Sequence, residues 1–127
     1  MTYRTTTQWT AWQYADPTFA NEKLDGFAVE ALDGEIGKVD EATLDSGMNY
    51  LVIDTGPWIF GKKVMLPAGI VSRIDSGSRR LFVNRTKEQI KNAPEFDQSF
   101  VGDTGYYDRL GTYYAEGSPG WRDPVHY

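Results

Sequence analysis

The apolar positions of this chain fall in short contiguous or alternating runs, each bounded by Gly, Pro, Asp or Ser. Tyr50-Leu51-Val52-Ile53 and Val64-Met65-Leu66 are the two strongest runs, and they flank a turn-rich loop at residues 55–61. Runs this short, rich in β-branched residues and closed by turn formers, predict strands. Because their apolar residues are contiguous, both faces are expected to be covered. Upstream, Phe27-Ala28-Val29-Glu30-Ala31 alternates and leads into Leu32-Asp33-Gly34-Glu35. Asp-Gly between two such runs predicts a hairpin. In the following strand, residues 36–44, the spacing of Ile36, Val39, Ala42 and Leu44 breaks a period of two, so Gly37 marks a bulge or bend. Asp45-Ser46-Gly47 predicts a second turn before Tyr50.

Pro67 cannot donate to a ladder, which places it at a corner or an edge. Ile70, Val71 and Ile74 continue the apolar pattern, Asp75-Ser76-Gly77-Ser78 predicts a hairpin turn, and residues 79–84 form the last strand. Thr86 with Gln89 three positions on matches a capping box and opens a short helix, with Ile90 and Ala93 inward and Pro94 as its stop. The expectation is one mainly β domain of six short strands with one short C-terminal helix.

The two ends differ from this middle. Residues 1–24 carry Tyr3, Trp9, Trp12, Tyr14 and Phe19, and residues 98–127 are Gly- and Tyr-rich; together they hold 12 of the 18 aromatic rings. Disordered tails are poor in aromatics. Each ring buried contributes about 1.5–3 kcal/mol, so these extensions are expected to cover a core, in this subunit or in a second one. The organisation expected is an N-terminal extension at 1–24, a mainly β domain at 25–97 and a C-terminal extension at 98–127.

Charge changes the picture through its layout. The chain has a net charge of −5, with an acidic excess in residues 25–45 and a basic excess in 46–93. Either these form two opposed surfaces that meet across a partner, or interleaved strands mix them on one surface. The overall acidity argues against nucleic acid as a partner. There is no cysteine, so thiolate chemistry and disulfides are excluded for this sequence. No apolar run approaches the ~20 residues of a membrane span, and residues 1–12 lack a signal-peptide pattern. The expectation is a cytoplasmic protein.

Candidate chemistry is sparse. His126 is the one histidine, which excludes a multi-histidine metal site within one chain. Asp33, Glu35, Asp40 and Glu41 lack the regular oxygen spacing of a calcium loop and read as a solvated hairpin face. Asp54 precedes a turn, either as a perturbed acid or base or as an acceptor for the turn backbone. No catalytic residue, cofactor or metal is expected. What stands out is the loop tip, where Trp58, Ile59 and Phe60 are bulky and apolar and Lys62 and Lys63 follow. Loop tips are normally polar, so these five residues are the candidate interaction surface, unless the loop folds back to close the end of the sheet.

The pattern Gly26-Phe27-x-Val29-x-Ala31-x-Asp33-Gly34-x-Ile36-Gly37-Lys38-Val39-Asp40, followed by Tyr50-Leu51-Val52-Ile53-Asp54 and Val64-x-Leu66-Pro67, resembles the PRC-barrel family. That family is named from the cytoplasmic domain of the photosynthetic reaction centre H subunit and includes the C-terminal domain of the ribosome maturation factor RimM. The run Asp54-Thr55-Gly56-Pro57-Trp58-Ile59-Phe60-Gly61-Lys62-Lys63 is similar to stand-alone bacterial members, particularly actinobacterial ones. The resemblance covers about residues 25–97 and implies a small β-barrel, often dimeric, used for protein contacts rather than catalysis. Alternatives are an RNA- or ribosome-linked factor using Lys62, Lys63, Arg79, Arg80, Arg85 and Lys87, and a small-molecule-binding barrel around Asp54.

Overall fold

The computed structural model describes residues 11–14, 16, 18–19, 23–43, 48–59 and 62–115. Trp9, the turn at 45–47, Phe60 and the segment 116–127 with Trp121 and His126 lie outside the described residues.

Among the described residues six strands form one sheet: β1 Ala28–Ala31, β2 Gly34–Ala42, β3 Tyr50–Asp54, β4 Lys63–Pro67, β5 Val71–Asp75 and β6 Arg80–Val83. Their order is β4-β3-β2-β1-β6-β5. All neighbours are antiparallel except β1 and β6, which run parallel with Val29 opposite Leu81. The ladder ends at β4 on one side and β5 on the other. These two are consecutive in the chain and are joined through Pro67 and a 3-10 turn, Ala68–Ile70, so Pro67 does stand at a corner.

The broken periodicity of β2 has a direct cause. Val29 faces Gly37 while Glu30 faces Glu35, leaving Ile36 as an extra residue; on the other side Val39 faces Ile53 while Glu41 faces Val52, leaving Asp40 extra. Two such register shifts, one toward each neighbour, interrupt the alternation of this long strand. Gly37, at φ +148°, allows the backbone after β3 to lie against it: a Cβ there would sit 2.1 Å from the Asp54 carbonyl oxygen.

The run Tyr50 to Ile53 is buried along its whole length, on both faces, as its contiguous pattern requires. The helix α1, Lys87–Lys91, begins with the expected capping box, in which the Thr86 hydroxyl accepts from Gln89 N and the Gln89 side chain accepts from Thr86 N. Ile90 is its buried residue.

The expectation of one short C-terminal helix is corrected by a second, longer one, α2, Thr104–Ala115. Asp103 starts it by accepting from Gly105 N and Tyr106 N. Its buried side is Tyr106, Tyr107, Leu110, Gly111 and Tyr114, at the spacing of one helix face. This side packs toward β4, the sheet edge. Tyr107 meets Tyr50 at 6.0 Å between centroids and Trp12 at 5.4 Å, and Phe96 and Phe100 flank Tyr106. A Cβ at Gly111 would lie 3.0 Å from the Trp12 indole nitrogen, so the indole packs closely over this glycine. From the lead-in, Ala11 O accepts from Gly69 N, and Trp12 O accepts from Asn49 N. The described aromatic residues of both ends therefore cover this subunit's own core, continuous with the sheet.

Among the described residues, burial suppresses the ionisation of four phenols, Tyr14, Tyr106, Tyr113 and Tyr114. Desolvation pushes Tyr14 and Tyr106 up to about 12 and Tyr114 further up. The unfolded chain ionises near the ordinary value of about 10, so the native state holds these protons longer. Stability is fully present below about pH 10 and is expected to fall as pH rises from about 10 to 12, because the unfolded state gains from ionising first. Urea unfolding across that range, with phenolate absorbance followed in parallel, checks this. A flat stability profile through alkaline pH would contradict it.

Candidate functional site

The loop after β3 is held from within. Thr55 is buried, and its hydroxyl lies 2.8 Å from Ile59 O and 2.7 Å from Lys62 O. Backbone bonds from Trp58 N to Thr55 O and from Lys62 N to Ile59 O tighten the reversal. Asp54 is exposed and accepts from Gly56 N at 3.0 Å, the turn-backbone role open to it in the sequence. Trp58 and Ile59 are both half-buried: the loop folds back onto the sheet and still presents part of each side chain to solvent.

Each flank of the loop is a groove. On the Trp58 side a groove of about 360 Å³ runs between the first residues of β2 and residues 54–58. On the Ile59 side a smaller one of about 170 Å³ is bounded by Lys62, Met65, Ile90, Pro94, Phe96 and other residues of β4 and the helices. Lys87 reaches from α1 over the Trp58 ring, its Nζ 5.9 Å from the centroid. Of the five candidate residues, Trp58, Ile59, Lys62 and Lys63 lie along these grooves, and Phe60 lies outside the described residues.

Thr55→Val removes the hydroxyl while keeping the shape, so it leaves Ile59 O and Lys62 O without this donor. The expected loss is about 1–2 kcal/mol, read as a lower thermal midpoint, together with faster amide exchange at Trp58 and Lys62. An unchanged midpoint and unchanged exchange would show that the loop is held by other means.

Charges in the sheet are interleaved rather than opposed. Arg80 pairs with Glu30 and lies 3.5 Å from Glu35; Lys63 pairs with Asp40 at 2.8 Å, and Lys62 with Glu95 at 3.1 Å. The acidic and basic segments thus mix across β1, β2, β4 and β6. The Asp40 contact holds the Lys63 ammonium above its usual range. Arg79 donates to Asp25 O and lies over the Phe27 ring. Arg85, grouped with the surface bases from sequence, is instead 2% exposed. It donates to the Tyr114 and Asn84 carbonyls at 2.6 and 2.9 Å, tying the end of α2 to β6, and burial depresses its pKa. Of these bases, Arg85 therefore adds nothing to a surface basic face.

The acidic hairpin follows the same logic. Asp33 accepts from Lys87 N at the start of α1, Glu35 lies beside Arg80 and Asp40 beside Lys63. Among the described residues no three acids or histidines gather in a geometry able to hold a metal ion. Among them too, no helix is long and apolar enough to cross a membrane.

The pattern has known counterparts. The PRC-barrel domain model matches residues 17–90, more than half of the chain. No protein of curated function matches the sequence. The chain is similar to the crystal structure of a protein from Pseudomonas aeruginosa described as the 16S ribosomal RNA processing protein RimM, at 17% identity and a TM-score of 0.44. That match covers 51% of this chain and 42% of the other, so the chain corresponds to less than half of that protein's length.

Proposed function

The chain belongs to the PRC-barrel domain family, and from that premise we propose that it is a non-catalytic protein–protein interaction module that self-associates as a cytoplasmic homodimer. One observation carries the reading: a loop fixed by the buried Thr55 hydroxyl holds Trp58 and Ile59 half-exposed between two grooves. Apolar side chains held in place before contact bind with little ordering cost. The exposed apolar tip supplies the kind of anchor that dominates interfaces.

Self-association uses the Ile59 face, where the apolar groove with Pro94 and Phe96 is bordered by Lys62 and Glu95. A two-fold interface presents the same patch from both copies, so this mixed rim is self-complementary. Sedimentation equilibrium of the full chain tests the reading. Dimers are expected at high micromolar concentration, and Ile59→Asp is expected to weaken the dimer at least about tenfold by placing a charge in the contact. A strict monomer across the whole range, or an Ile59→Asp variant that dimerises as the parent does, contradicts it.

A further inference from the structure

Among the described residues two large hydrophobic side chains stand mainly exposed, Leu32 at 67% and Val101 at 42%. Leu32 lies at the tip of the β1–β2 hairpin, where a single apolar side chain is ordinary. Val101 has a different setting. It follows the 3-10 turn Gln98–Phe100, and that turn is held from within. Phe100 N donates to Asp97 O, Val101 N to Gln98 O, and Gly102 N to the Tyr107 hydroxyl. Phe100 packs on Tyr106 at 5.1 Å between centroids. Val101 is thus an apolar knob fixed before any contact, which lowers the ordering cost of binding.

The knob stands beside a socket. Phe96, which lines the Ile59-side groove of about 170 Å³, rests on the same Tyr106 ring as Phe100. Val101 does not fill the groove of its own copy: it is absent from the lining and stays exposed. The charges of the lining are lopsided, with Lys62, Lys63 and Lys91 against Glu95 alone. Lys62 is taken by Glu95 and Lys63 by Asp40, while Lys91 forms no ion pair among the described residues. The knob carries the opposite sign. Residues 95–104 hold Glu95, Asp97 and Asp103 and no base. Asp97 and Asp103 flank Val101, are exposed and form no ion pair among the described residues. Hydrogen bonds from the Ser99 amide and hydroxyl hold the Asp97 carboxyl below its usual range, so it is charged at neutral pH.

We propose that in the homodimer each copy sets its Val101 into the Ile59-side groove of the other. A two-fold axis between knob and groove uses both features twice, as a contact between identical patches requires. The valine meets the apolar lining, and its flanking carboxylates approach the lysine-rich rim, which fixes the register of the two copies. The inference rests on the homodimer reading and deepens it, because it names the residue that each copy contributes to the other's groove.

The chain has no cysteine, which makes cross-linking a clean test. Two single-cysteine variants of the full chain, Ala93→Cys in the groove and Val101→Cys on the knob, are mixed and mildly oxidised at a concentration where the parent is dimeric. A disulfide between the two variants is expected as the main product. With Leu32→Cys in place of Val101→Cys, little product is expected. In sedimentation equilibrium Val101→Asp, a change at an exposed position, is expected to weaken the dimer at least about tenfold. Lys91→Glu is expected to weaken it too, by setting like charges together. The contact is overturned if Leu32→Cys cross-links as well as Val101→Cys, or if Val101→Asp or Lys91→Glu dimerises as the parent does. Should Ile59→Asp still weaken the dimer in that case, the homodimer reading stands without this contact. A parent that is monomeric across the whole range removes the homodimer reading itself.

Discussion

Gly37→Ala is expected to destabilise the protein by roughly 3–5 kcal/mol, the sum of a strained backbone and a displaced carbonyl. The glycine sits at φ +148°, and an added Cβ would lie 2.1 Å from Asp54 O and 2.9 Å from the Thr55 Cα. These neighbours are backbone atoms, so no side-chain rotation relieves the overlap. Relief requires β3 to draw away from β2, which loosens the departure of the 55–59 loop and widens the groove beside Trp58. Gly77→Ala is the control. A Cβ there meets only Asp75 Oδ1 at 3.4 Å, and a change within about 0.5 kcal/mol is expected, as for surface substitutions in general. Urea unfolding of both variants decides the matter; near-equal midpoints would show that the close approach at Gly37 is not what fixes the β2–β3 junction.

Leu110→Ala is the second large effect, with an expected loss of about 3 kcal/mol within the range seen when a buried leucine is truncated. Leu110 is fully buried on the inner side of α2, among the buried tyrosines of that helix. A helix of 12 residues is marginal on its own. Its persistence here comes from that buried side, from Arg85 holding the Tyr114 carbonyl and from Trp12 packed over Gly111. If α2 is part of the same cooperative unit as the sheet, far-UV circular dichroism and tyrosine fluorescence will lose their signals together in both parent and variant. A loss below about 1 kcal/mol, or separate transitions, would mean that α2 is an appendage.

The strands were readable because their signals are local. Contiguous apolar residues at 50–53, the Asp33-Gly34 turn and the Thr86 to Gln89 capping box each act within a few positions, and each is found where the pattern placed it. Helix α2 was hidden because Gly105, Gly111 and a set of tyrosines are poor helix formers. A signal was nonetheless present: Asp103 as an N-terminal cap, then inward positions at 106, 107, 110, 111 and 114.

The site was legible in part for the same reason. An apolar loop tip is a composition signal, and Trp58 and Ile59 are where it pointed. The Thr55 hydroxyl spanning to Ile59 and Lys62, and Lys87 arriving over Trp58 from another element, depend on how the chain returns on itself. Arg85 was grouped with surface bases because arginine is rarely buried; here the carbonyl at the end of α2, an element absent from the sequence reading, supplies its partner. The ion pairs joining β1, β2 and β6 likewise follow from strand order, and the parallel pairing of β1 with β6 is what brings Arg80 to Glu30.

Amide hydrogen exchange of the full-length protein at low and at high concentration tests most directly whether the loop after β3 is a contact surface. Slower exchange at Gly56, Trp58 and Ile59 in the concentrated sample, with the amides of β3 and α2 unchanged, is the predicted result. Exchange at these residues that is independent of concentration, or protection appearing only at the β5 edge, would contradict it.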